Sequence, residues 1–361
     1  YYSNLLTKYG IRTEVTATPR TSAERYTFPE GTGHILLNLG EGLTNESGAW
    51  VRRVSDTEVE GMKLLGTFCY NPQAVFPVYF VMRVSKRPAA TGFWKKQPPK
   101  QGVEAEWDKD AGNYKLYTQY GKDIAGDDVG VWFSYDMQPG EQVEVRMGVS
   151  FVSAENARLN LEAEQQGRSF DDIRAAARRT WNDDLGRIRV EGGTEAQKKV
   201  FYTGLYHALI HPNVLSDVNG EYPAMESAEI RTAEGNRYTV FSLWDTYRNL
   251  HQLLTLVYPE RQLEMVRSMV GMYREWGWLP KWELYGRETF TMEGDPSIPV
   301  IVDTWMKGLR DFDVDAAYEA MRKSATTPGA RNRMRPDIDP YIEKGYVPLG
   351  FYARDLSGDN S

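Results

Sequence analysis

The stretch Val143-Glu-Val-Arg-Met-Gly-Val-Ser-Phe-Val-Ser-Ala-Glu-Asn-Ala-Arg-Leu-Asn-Leu-Glu-Ala-Glu164 holds the turning point of the chain. In its first half Val143, Val145, Met147, Val149 and Phe151 fall on one side and Gln142, Glu144 and Arg146 on the other. That two-residue period is the mark of a half-buried strand. After Ser153 the period becomes helical, over Ala154 to Gln166 and again over Phe170 to Trp181, where Ile173, Ala176, Ala177 and Trp181 share a side.

Upstream of this point the chain reads as β. Ile11, Thr13, Val15 and Ala17 alternate with Arg12, Glu14, Thr16 and Thr18, and apolar runs follow at His34 to Leu39, Val75 to Val84, Tyr114 to Tyr120 and Val129 to Tyr135. Many strands without an intervening helical period predict a large antiparallel sandwich over residues 1–153. Lys86 to Gly112, rich in Lys, Pro and Gly, reads as a long surface excursion. Residues 154–193 then form a helical linker.

From Thr194 to the end, residues 194–361, the chain reads as helical. Thr194 and Gln197 make a capping box before an apolar side of Phe201, Leu205 and Leu209. Ser242 and Asp245 offer a second box, ahead of Leu243, Tyr247, Leu250, Leu254 and Val257 on one helix. Pro259 opens a third helix through Leu263, Val266, Val270 and Tyr273. Asp295-Pro296 supplies an N-cap and first-turn pair for a fourth, burying Ile301, Trp305 and Leu309. Asp313 begins a fifth, with Val314, Ala317, Tyr318 and Met321. Antiparallel helices joined by long aromatic loops suit a helical toroid whose loops gather at one end.

Composition narrows the function. A length of 361 residues predicts two domains. A net charge of −7 and a pI near 5.4 exclude a basic nucleic-acid footprint. No run of about 18 apolar residues is present to span a membrane. Cys69 is the sole cysteine, so neither an intrachain disulfide nor a thiolate metal cluster can form. Aromatics reach 12%, with 10 Trp and 22 Tyr, whose faces stack on sugar rings but also fill cores. Tyr1-Tyr2-Ser3-Asn4-Leu5-Leu6 reads as mid-strand and Ser357 to Ser361 as an open polar loop, so both ends look cut.

Each candidate site residue carries two readings. Asp245 is a helix cap through Ser242, or a carboxylate that accepts hydroxyl donors beside the indole of Trp244. Asp295 is a cap or a substrate contact. Trp276, Trp278, Trp282 and Tyr285 are core or a stacking surface. Lys281 and Arg248 orient polar groups or form surface ion pairs. His207 and His211 lie one helical turn apart but lack a third ligand, which argues against zinc. Asp110-Ala-Gly-Asn and Asp123 to Asp128 read as solvated turns without the spacing of an EF-hand.

Several stretches resemble glycoside hydrolase family 92. They are the opening segment Val143 to Glu164, Phe201-Tyr-Thr-Gly-Leu-Tyr206 with His211-Pro212, Phe241-Ser-Leu-Trp-Asp-Thr-Tyr-Arg248, Trp278-Leu-Pro-Lys-Trp282, Met292-Glu-Gly-Asp295 and Ile298-Pro-Val-Ile301. The resemblance runs from Tyr1 to about Val347. It implies a β-sandwich (a supersandwich) followed by the first half of an (α/α)6 barrel, with the site between them. It further implies an inverting, Ca²⁺-dependent exo-α-mannosidase acting on N-glycan or mannan-type oligosaccharides. On this reading Trp244 and Asp245 contribute to the subsite of the terminal mannose, joined by Arg248, Lys281, Trp282 and Asp295. The general acid, the base and most calcium ligands are expected beyond Ser361, so this chain alone is expected to be inactive. A periplasmic or extracellular, bacterial setting follows from the same resemblance. Pro296 departs from it, standing where a His is expected. Two other readings remain open: another sandwich-plus-barrel enzyme, such as a phosphorylase or glucosidase, and a non-catalytic glycan-binding module.

Overall fold

The computed structural model describes residues 1–42, 48–66, 71, 74–96, 114–117, 121–328 and 332–349. Among these residues twelve strands come first: β1 (Tyr2–Leu6), β2 (Ile11–Ala17), β3 (Thr21–Thr27), β4 (Gly31–Asn38), β5 (Ala49–Arg53), β6 (Glu58–Gly66), β7 (Val75–Val84), β8 (Ala90–Lys96), β9 (Tyr114–Tyr117), β10 (Asp123–Gly126), β11 (Val129–Met137) and β12 (Gln142–Ser150). They form an eight-stranded sheet, β1-β2-β3-β12-β7-β6-β5-β10, and a four-stranded sheet, β4-β11-β8-β9. Every pairing between them is antiparallel, for example Val145 opposite Val84 and Phe133 opposite Ile35. Val51, Val59, Phe80, Phe93, Val131, Phe133 and Val143 fill the interior of this sandwich.

The opposite face of the large sheet is also covered, which the alternation in the sequence did not disclose. α1 (Ala154–Gln165) and α2 (Phe170–Leu185) lie on it. Val81 packs with Ala157 and Leu161, and Ala23 with Phe170 and Ile173. Gly148 allows this approach, because a Cβ there would collide with the Ala157 carbonyl oxygen and meet Leu161 Cβ at 2.8 Å. Consequently Glu14 and Thr16, on the expected polar side of β2, are buried more deeply than Val15. Arg25 donates to Glu14 at 2.9 Å and holds its carboxyl far down, at about 2. Arg158 bridges Glu58 and Glu60 in the same layer.

Two further expectations change here. The excursion predicted for Lys86 to Gly112 contains β8, because Phe93 and Trp94 are buried and Gly92 leaves room for the Trp132 ring. Residues 97–112, including Asp110, lie outside the described residues, as do 118–120 of the predicted strand ending at Tyr120. Asp123 to Gly126 is strand rather than turn, paired with β5.

The helical part contains α3 (Glu195–Ala208), α4 (Leu243–Thr246), α5 (Leu250–Val257), α6 (Pro259–Trp276), α7 (Ser297–Met306), α8 (Val314–Thr326) and α9 (Ile338–Lys344). Short strands lie between them: β13 (Asn213–Val214), β14 (Glu221–Pro223), β15 (Ile230–Thr232), β16 (Tyr238–Thr239), β17 (Phe241–Ser242), β18 (Trp282–Leu284) and β19 (Arg287–Glu288). Among the described residues these helices do not close a ring. Their core joins Leu254, Tyr258, Val266, Met269, Val300, Ile301 and Ala317.

The caps of α3 and α8 are as predicted, with Thr194 and Gln197 reciprocally bonded and Asp313 accepting from the Ala316 N–H at 2.9 Å. The single helix expected from Leu243 to Val257 is two, α4 and α5, broken at Asn249 with its φ of −154°. Ser242 makes no cap, since its hydroxyl turns to the Asp245 carboxylate instead of a backbone N–H. Asp295 is no cap either: Pro296 takes that position, and the Asp295 side chain points to Ser324 and Arg335. Of the residues expected buried on α7, Ile301 is, while Trp305 and Leu309 are half-buried. On α8 Tyr318 is exposed, and Ala317, Ala320 and Ser324 face inward.

The chain forms two compact units. The first holds Tyr1–Phe68, Pro72–Glu191 and Ser216–Tyr222, the second Cys69–Asn71, Gly192–Leu215 and Pro223–Ser361. Ser216–Tyr222 is seated in the first unit by Asp217, which is buried. Its carboxylate accepts from Ser150 Oγ at 2.6 Å, Asn156 Nδ2 at 2.8 Å and Asn160 Nδ2 at 2.6 Å. Burial nonetheless pushes that carboxyl above its ordinary range.

Candidate functional site

Three two- and three-residue strands in the second unit, β17-β18-β19, gather most of the residues singled out by sequence. Ser242 lies opposite Trp282, and the Leu243 N–H donates to the Lys281 carbonyl at 3.3 Å. The turn carrying Trp244 and Asp245 therefore sits beside the strand carrying Trp282. Asp245 is exposed and accepts from Ser242 Oγ, whereas Trp244 is half-buried. Arg248, also exposed, lays its guanidinium 4.4 Å from the Trp244 ring centroid and donates to the Trp244 carbonyl at 3.2 Å. An open carboxylate can accept sugar hydroxyls, and an indole on the same turn can cover the C–H face of a ring.

A buried polar chain supports that turn. Thr304 Oγ1 donates to the Val300 carbonyl at 2.7 Å and accepts from Gln262 Nε2 at 2.9 Å. Gln262 Oε1 then accepts from His251 Nδ1 at 2.9 Å, which leaves His251 Nε2 to accept the Thr246 hydroxyl at 3.1 Å. The chain thus ties α4, α5, α6 and α7 together and selects the neutral Nδ1–H tautomer. Burial holds His251 down at about 4.

Lys281 and Asp295 are enclosed. Lys281 is buried, donates from Nζ to the Met334 carbonyl at 2.6 Å, and is pushed below the usual lysine range by desolvation against the pull of Glu288 and Asp295. Asp295 accepts from Ser324 Oγ at 2.9 Å and from Arg335 Nη1 at 3.2 Å, and burial outweighs both and raises its carboxyl. Trp276 packs against Phe290 with the rings tilted at 57° and centroids 6.4 Å apart, and Lys323 Nζ stands 4.6 Å over Trp278. Among the described residues no three His, Cys, Asp or Glu assemble into a group fit for a metal, and His207 and His211 recruit no such partner.

Glu283 and Glu288, which the sequence places only among the carboxylates near the expected mouth with no sign of a tuned acid–base pair, are both fully buried. Glu283 accepts from Thr239 Oγ1 at 2.7 Å, the Val240 N–H at 3.0 Å and the Gly286 N–H at 2.6 Å. Glu288 accepts from the N–H groups of Lys281 at 2.8 Å, Trp282 at 3.0 Å and Phe290 at 3.0 Å. Desolvation raises both, Glu283 to about 7. Their signal was the Tyr285-Gly286 step, a two-residue hairpin loop that places Glu283 opposite Glu288. Arg335, forty residues from Asp295, gave none.

The chain thus comprises an antiparallel sandwich and a helical unit that presents an exposed carboxylate at Asp245. Residues 1–150 match the Glycosyl hydrolase family 92 N-terminal domain and residues 156–359 the Glycosyl hydrolase family 92 catalytic domain. The chain belongs to glycosyl hydrolase family 92.

Among solved structures, a family GH92 alpha-mannosidase of Bacteroides thetaiotaomicron is 30% identical with a TM-score of 0.84, over 96% of this chain and 44% of its own. The same enzyme in complex with mannoimidazole gives a TM-score of 0.83 at 30% identity, over 96% of this chain and 43% of its own. A family GH92 inverting mannosidase of that organism is 27% identical with a TM-score of 0.83, over 96% of this chain and 44% of its own. An uncharacterized secreted glycosidase of Arthroderma benhamiae is 28% identical over 218 residues, 58% of this chain and 24% of that protein. The chain therefore spans less than half the length of these relatives.

Proposed function

We propose that this chain forms part of an inverting exo-α-mannosidase in which Trp244, Asp245, Arg248 and Trp282 line the subsite for a terminal mannose. The observation that carries the reading is the exposed Asp245 carboxylate, on the turn with Trp244 that follows directly on the Ser242–Trp282 pairing of β17 and β18. Likeness to alpha-mannosidases, one of them bound to mannoimidazole, supports mannose as the ligand. Lys281 serves this subsite through its backbone carbonyl, which accepts from the Leu243 N–H, and its enclosed side chain and that of Asp295 are not offered to the sugar.

Inversion needs an acid and a base about 6.5–9.5 Å apart on opposite faces of the sugar. Glu283 and Glu288 do not supply them, since each is sealed from solvent and committed to three protein donors. The 361-residue chain by itself is accordingly expected to release no mannose. Calcium is proposed for the complete polypeptide alone. Among the described residues no three His, Cys, Asp or Glu come together to hold it. Secretion to the periplasm or medium is proposed on the likeness to a secreted glycosidase, and no described helix is long and apolar enough to cross a membrane.

The test compares the 361-residue chain with the polypeptide of the complete reading frame on p-nitrophenyl α-mannoside. The longer protein should release p-nitrophenol, the shorter none. In the longer protein Asp245→Asn should lower kcat/KM at least about tenfold, the worth of one charge-assisted bond, with its melting temperature unchanged. Release that depends on phosphate, or preference for a glucoside, would overturn the reading.

A further inference from the structure

Among the described residues five other than glycine adopt left-handed backbone: Glu226 (φ 52°), Val240 (64°), Tyr285 (50°), Phe290 (55°) and Met292 (68°). Such positions are uncommon, and for a β-branched residue like Val240 the conformation is a true outlier. Here they collect around one small sheet. Val240 leads into β17, Tyr285 forms the β18–β19 turn, and Phe290 and Met292 follow β19. The Glu226 N–H donates to the Gly286 carbonyl at 2.9 Å, and its own carboxylate accepts from the Glu288 N–H at 2.7 Å. Strain of this kind persists only where surrounding bonds over-determine it.

Those bonds come from the buried glutamates. Glu283 takes the N–H of Val240 itself and that of Gly286, and Thr239, which donates to Glu283, accepts the Tyr285 N–H at 2.8 Å. Glu288 takes the N–H of Phe290 and, with its remaining capacity, those of Lys281 and Trp282. One carboxylate thus pins the entry to the strand that leads to Trp244 and Asp245, and the other pins Trp282.

We infer that Glu283 is a positioning residue of the mannose subsite: by holding Val240 in its left-handed bend it locks β17 against β18 and sets Asp245 beside Trp282. This rests on the function proposed above. An amide at 283 can keep its oxygen on Thr239 and Gly286 only by turning its own N–H toward the Val240 N–H. Glu283→Gln should therefore break the clamp at that one contact.

The experiment uses the polypeptide of the complete reading frame and two readouts: calorimetric binding of methyl α-mannoside, and amide hydrogen exchange at residue 240. Glu283→Gln should weaken binding about tenfold or more and release the 240 amide to exchange. Adding Val240→Gly should restore most of the affinity, because glycine holds a positive φ without help. Should Glu283→Gln fail to fold, Thr239→Val decides in its place, since it removes one of the three anchors at constant shape and should weaken binding severalfold. Faster exchange at 240 with unaltered affinity would overturn the inference, and so would a double variant that binds no better than Glu283→Gln. A wild-type protein that binds no mannoside would instead overturn the function on which the inference rests.

Discussion

The buried imidazole of His251 should make the helical unit acid-sensitive in a defined window. Its folded value of about 4 lies below the ordinary 6.5, so the unfolded chain binds the extra proton first as pH falls. The stability it contributes is complete above pH 6.5 and is lost on the way down through pH 4. A gap of about 2.5 pH units, at 1.36 kcal/mol each, amounts to about 3.4 kcal/mol. Protonation would place a second N–H against the Thr246 hydroxyl, reversing the one bond in the chain that needs a bare nitrogen.

Urea unfolding of wild type and His251→Leu, followed at pH 7.5, 6.5, 5.5 and 4.5, isolates this contribution. Their difference should shrink as pH falls, with a slope approaching 1.36 kcal/mol per unit between 6.5 and 4. Glu283, raised to about 7, gives the opposite trend: its stabilising effect is lost as pH rises from 4.5 through 7. It is present in both proteins and cancels. The His251 ring resonance should stay in its neutral position down to about pH 5. Parallel unfolding curves across the range, or a ring that titrates near 6.5, would refute the reasoning.

Three other perturbations follow from the same structure. Gly148→Val should drive α1 off the large sheet and lower the first unit's stability by about 1–3 kcal/mol, read as a drop in the thermal melt. Asp217→Asn should set its NH2 against the donor of either Asn156 or Asn160 and weaken the seat of residues 216–222 by about 1–3 kcal/mol, read as faster proteolysis within that segment. Arg25→Met leaves the Glu14 carboxylate with less support, so its pKa, held at about 2 mainly by Arg25, should climb toward the usual range in a carbon-detected titration.

The architecture was legible because its signals are local. The alternation in β12 and the helical period after Ser153 each depend on a few neighbouring residues, and both survive in the structure. What escaped depends on cover from distant segments. The polar side of β2 looked solvated until α2, more than 150 residues on, laid Phe170 and Asp171 over Arg25. Ser242 and Asp245 have the spacing of a cap, yet they bond to each other rather than to the backbone, and the helix stops at Thr246. Trp244 and Trp282 could be named from sequence, but that β17 pairs with β18 and sets Ser242 opposite Trp282 could not, because two-residue strands carry no period. The burial of Glu283 and Glu288 was hidden for the same reason: nothing in a linear string shows a carboxylate surrounded by backbone N–H groups.

The seating of Ser216–Tyr222 among the strands and helices of the first unit constrains how this gene can be cut and recombined. A single break near Glu191 would yield an N-terminal product with Ser150, Asn156 and Asn160 facing an empty socket, and a C-terminal product with a stray acidic loop. Neither half is a transferable module as the chain is written. Swapping one half for that of a relative would succeed only when residues 216–222 travel with the sandwich they complete.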